Sequence, residues 1–79
     1  MEVEIAARDM NIDRIDTAGP YLLAVFHPGA RVSPDALVHL LTTDKRLAFL
    51  PPGTLRLDVS GFASPVDRVS YMMDVLRSL

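Results

Sequence analysis

Arg14-Ile15-Asp16-Thr17, the turn Ala18-Gly19-Pro20, Tyr21 to His27 and Val32-Ser33-Pro34-Asp35 set out a plan that the chain then repeats. The second copy runs Arg46 to Leu50, Pro51-Pro52-Gly53, Thr54 to Val59 and Ala63-Ser64-Pro65-Val66. Each copy reads as strand, turn, strand and capped helix, and repeats of such units bury one shared core. Tyr21 to His27 alternates Leu22, Ala24 and Phe26 with Tyr21, Leu23 and Val25, so both faces of that strand are apolar. Leu55, Leu57 and Val59 alternate instead with Thr54, Arg56 and Asp58, the pattern of a strand with one wet face. Gly19-Pro20 and Pro51-Pro52-Gly53 supply hairpin turns, because glycine reaches positive φ and proline cannot extend a ladder.

Outward from the strands, Ser33 is an N-cap with Pro34 at the first helical position, Asp35 in the first turn and Val32 set to staple against Leu37. Leu37, Leu40 and Leu41 form the buried stripe of this helix. Ser64 and Pro65 open the last helix, with Asp67 in the first turn and Val66, Val69, Met72, Met73, Leu76 and Leu79 as its stripe. Tyr71 and the two methionines read as core. Upstream, Val3, Ala6, Ala7 and Met10 fall at helical spacing, and Asn11 suits the left-handed residue that ends a helix, with Ile12 packing back on Ala6 or Ala7. The expected class is α+β: a four-stranded antiparallel sheet built from two ββα units with an N-terminal helix, in the order αββαββα, with the helices mainly on one face.

The chain of 79 residues makes a single small domain, 49% hydrophobic and 23% charged, which is the composition of a folded globular unit. The absence of cysteine removes disulfides, thiolate metal sites and cysteine nucleophiles from consideration. A net charge of -2, with arginines scattered among aspartates, argues against a direct nucleic-acid groove. No apolar run approaches the length of a membrane span, and the acidic Met1-Glu2-Val3-Glu4 has the wrong sign for a signal peptide, so a cytoplasmic location is expected.

No catalytic constellation emerges. His27 and His39 lack a second ligand at metal-binding spacing, Ser33 and Ser64 are committed to capping, and His27-Pro28-Gly29-Ala30 lacks the glycines and lysine of a phosphate loop. No enzyme activity, cofactor or metal is therefore expected. Arg14, Asp16, Arg56 and Asp58 should lie on the sheet face away from the capped helices. Mixed charges of this kind are usually only solvated, but with Leu23 and Val25 on the same face the six residues also fit a protein-docking patch.

Ala7 to Asp16, followed by Leu23-Ala24-Val25-Phe26, Val32 to Leu37, Leu47 to Leu57 and Asp67-Arg68-Val69 leading to Met73-Asp74-Val75-Leu76, resembles in order and spacing the C-terminal domain of the bacterial transcription-repair coupling factors, the Mfd family. Asn11 stands where the family usually has glycine, and Val25 where it has an acidic residue. The resemblance implies a regulatory, non-catalytic C-terminal module of an ATP-driven DNA translocase active in transcription-coupled DNA repair. In that family the domain docks on a UvrB-like module of the same chain, masks UvrA binding and restrains the motor until RNA polymerase is engaged. Acidic contacts of the helical segment that precedes this region in the family are not carried over. A stand-alone α+β adaptor protein is the alternative from the residues alone.

Overall fold

The computed structural model describes residues 11–79. Strands β1 (Ile12–Ala18) and β2 (Tyr21–Phe26) lead to helix α1 (Pro34–Thr43); β3 (Leu47–Leu50) and β4 (Thr54–Asp58) lead to α2 (Pro65–Arg77). The sheet order is β1-β2-β4-β3 with every pair antiparallel, so the two hairpins meet at the strands that feed the helices. The α+β class and the two ββα units are as the repeat predicts. The expected N-terminal helix lies outside the described residues. Asn11 itself adopts the left-handed conformation anticipated for it, at φ 66°.

Local chemistry accounts for the elements. Gly19, at φ 59°, takes the first position of a two-residue hairpin loop, and Pro20, which cannot have positive φ, takes the second, a type II′ arrangement. The Ser33 hydroxyl accepts from the Ala36 N–H at 3.3 Å and the Ser64 hydroxyl from the Val66 N–H at 3.2 Å, with proline opening each helix. The hairpin ends are tied by Phe26 N–H to Gly53 and Val59 N–H to Pro20.

Cross-strand partners define the inner face: Ile15 pairs with Ala24 and Ala24 with Leu55, while Leu22 pairs with Leu57 and Leu57 with Leu47. Ala24, Leu55 and Leu57 are fully buried there, with Met72, Val75 and Leu76 of α2 in the same cluster. Leu37, Leu40 and Leu41 of α1 pack on that cluster, yet none becomes fully buried, because this shorter helix lies toward the outer strand β3.

Three readings change. Strand β1 begins at Ile12 rather than near Arg14, and Ile12 is buried opposite Phe26 as a sheet residue; the anticipated contact with Ala6 or Ala7 lies outside the described residues. Val66 is 74% exposed while Val75 is buried. Six residues at 100° each leave Val66 about 120° around the helix from Met72, whereas Val75 lies only about 60° away. We expect Leu76→Ala to cost about 2–4 kcal/mol by emptying core, and Val66→Ala to stay within about 0.5 kcal/mol. Urea denaturation of the two variants checks this; equal costs would place the buried arc of α2 elsewhere.

Candidate functional site

One irregularity determines what the outer sheet face carries. The pairing passes from Ile12–Phe26 to Arg14–Val25, so Asp13 is an extra residue in β1, a β-bulge. In a regular strand Ile12 and Arg14 would share a face. The bulge reverses the alternation between them, burying Ile12 and turning Arg14 and Asp16 outward.

Three cross-strand rows follow on that face: Arg14, Val25, Thr54 and Leu50; Asp16, Leu23, Arg56 and Ala48; Ala18, Tyr21 and Asp58. All six residues anticipated from the sequence, Arg14, Asp16, Leu23, Val25, Arg56 and Asp58, are thus brought together. Tyr21, Ala48 and Leu50 join them. The alternation of β2 already pointed to Tyr21, whereas the β3 residues required the sheet order. Leu23 and Val25 are half-buried by their sheet neighbours and Leu50 is exposed, and both helices pack on the opposite face.

Electrostatics divide this face. On β1, the Arg14 Nε donates to Asp16 Oδ2 at 3.0 Å and Nη1 to Asp13 Oδ2 at 3.2 Å, a surface network that orients side chains more than it stabilises. On β4, hydrogen bonding from Ser60 holds the Asp58 carboxyl below its usual range, with the charges of Arg56 and Arg46 adding to the effect. Between them the Arg56 guanidinium lies 4.5 Å from the Tyr21 ring centroid, a cation–π contact. Its Nε is buried without a hydrogen-bond partner.

At the sheet end where β2 finishes, a cleft of about 670 Å³ opens between Phe26, Pro28, Val32, Leu37 and Phe49, with Val25 and Thr54 at its lip. Its lining is apolar apart from His27 and Thr54, so polar groups that could orient a reacting substrate do not converge there. His27 Nδ1 lies 3.5 Å from Asp13 Oδ1 at the surface. Among the described residues no group of three metal-capable side chains forms.

A second polar cluster ties α2 to the connection between α1 and β3. Tyr71 donates its hydroxyl to Asp44 Oδ2 at 2.6 Å, Phe62 stacks on Tyr71 at 5.0 Å, and Arg46 lies over both rings. Tyr71 was expected in the core stripe; it is half-buried, with its ring packed on the core and its hydroxyl engaged. Burial, and then the Asp44 hydrogen bond, push the Tyr71 phenol above its ordinary 10.0. A phenol raised in the folded state gives stability that is complete below pH 10 and is lost as pH climbs past it. We expect Tyr71→Phe to cost about 1 kcal/mol at neutral pH. The gap between variant and wild type should narrow above pH 10, read from urea denaturation across that range; a gap independent of pH would mean that the phenol is not raised in the folded state, and no gap at neutral pH that the hydroxyl contributes nothing.

Compared with protein-family models, curated proteins and solved structures, the chain matches none.

Proposed function

We propose that this chain is a non-catalytic protein-docking module: the regulatory domain of a transcription-repair coupling factor, resting on the UvrB-like module of its own parent chain to mask UvrA binding and restrain the motor. The observation that carries the docking part is the outer sheet face, where Tyr21, Leu23, Val25, Ala48 and Leu50 form an apolar strip that no described element covers. An apolar centre gains affinity when a partner excludes water, and charges around it set orientation and keep the free face hydrated. The regulatory part is supported by the ordered resemblance from Ala7 to Leu76. Contact through this face is direct with protein, and reaches UvrA and RNA polymerase only indirectly; it involves neither nucleic acid nor membrane.

In a translocase carrying this domain, Leu23→Asp with Leu50→Glu should raise both UvrA binding and ATPase rate, because two new carboxylates within the contact must be desolvated for docking. The melting curve of the isolated domain should move far less than a core substitution moves it, since Leu23 is half-buried and Leu50 exposed. Unchanged UvrA binding and ATPase with an unchanged melt would place the regulatory contact elsewhere.

A further inference from the structure

Arg56 differs from every other cation on the outer face. Arg14 is already paired with Asp13 and Asp16, whereas among the described residues no carboxylate lies within 4 Å of the Arg56 guanidinium. The nearest acid along its strand, Asp58, is engaged by the Ser60 N–H. Tyr21 lies against the guanidinium, and Nε is turned inward without a partner. What remains is a planar group set against Tyr21 whose terminal nitrogens make no hydrogen bond among the described residues. Leu23 and Ala48 flank it in the same cross-strand row, and Val25 lies in the next.

A guanidinium fork is complementary to a carboxylate, which it can meet with two parallel hydrogen bonds. The setting narrows the choice further. Asp16 and Asp58 share the face, so a phosphate backbone with its successive charges would meet like charge on both sides of the one cation there that is unpaired among the described residues. A lone carboxylate avoids both aspartates, and aliphatic groups beside it would cover Leu23 and Val25.

We propose that Arg56 is the specificity anchor of this face, and that its partner is a protein segment presenting one aspartate or glutamate flanked by aliphatic side chains. This rests on the docking reading above and adds the chemistry of the partner. The acid sets the register of the contact on Arg56, while the aliphatics exclude water around the pair and so strengthen it.

The probe is a phage-displayed random-peptide library panned on the immobilised chain, with binding of the selected peptides measured by fluorescence anisotropy. Selected peptides should share an acidic residue between aliphatics. Arg56→Gln should weaken them roughly tenfold to a hundredfold, Arg56→Lys should weaken them less, and Arg56→Glu should bind a peptide whose acid has been replaced by lysine. That charge exchange is an outcome which a merely structural role for Arg56 would not give, and the melting curve of Arg56→Lys checks the fold. Peptides lost on Val25→Glu but indifferent to Arg56→Gln would overturn the acidic anchor while leaving the docking face in place. Peptides indifferent to both, or no peptide selected, would count against the face itself. Preferential capture of single-stranded oligonucleotides at low salt would overturn the choice of a protein carboxylate.

Discussion

The pairing of β2 with β4 is the constraint on which everything else in this domain depends. Each hairpin alone would be marginal, since two strands cannot cover an apolar face. Joined through their second strands, they place Ala24 opposite Leu55 and Leu22 opposite Leu57, at the centre of a four-stranded sheet. The helices follow these central strands, so both ββα units fold back over the same side. One face becomes the core, and the other keeps the alternate residues of β2, which are apolar too.

The repeat, the Ser-Pro caps and the Gly19-Pro20 turn were legible because each is a local signal whose physics acts over a few residues. The outward placement of Arg14 and Asp16 was anticipated, yet its cause was not: nothing in Asn11-Ile12-Asp13-Arg14 announces that Asp13 is extra. A bulge is selected by the partner strand, which here requires both Phe26 opposite Ile12 and Val25 opposite Arg14. Val66 misled for a similar reason. Spacing identifies a stripe but not its centre, which the sheet fixes on Met72 and Val75. The links among Asp44, Arg46, Phe62 and Tyr71 span two connections and a helix, so no local pattern brings them together. On the candidate site, alternation revealed which residues of one strand share a face, while the neighbours supplied by β3 depended on a strand order that alternation does not encode.

Edge protection is concentrated on one side of the sheet. Strand β1 is an outer strand, and an outer strand offers free backbone groups to any other chain. The bulge at Asp13 interrupts the regular ladder there, and Asp13, Arg14 and Asp16 place charge along it. The apolar strip instead runs across β2 and β3, with the cation of β4 between them. On the β1 side strand addition is thereby disfavoured, while β3, the other outer strand, itself contributes Ala48 and Leu50 to the strip.

The size of the strip bears on how such a contact could work. Four strands about 4.8 Å apart, presenting about five residues at 3.4 Å each, give a face of about 300 Å². A standard stable interface covers about 800 Å² on each partner. A contact centred on this face alone is therefore weak between free molecules, even with a well-oriented guanidinium. Carried on the same chain as its partner, however, it would see an effective concentration in the millimolar range, at which a weak contact is mostly formed and still opens readily. On the docking reading, the physics of the face thus favours a tethered regulatory domain over a free adaptor: a small apolar strip with one oriented charge is enough to hold a closed state that another partner can compete away.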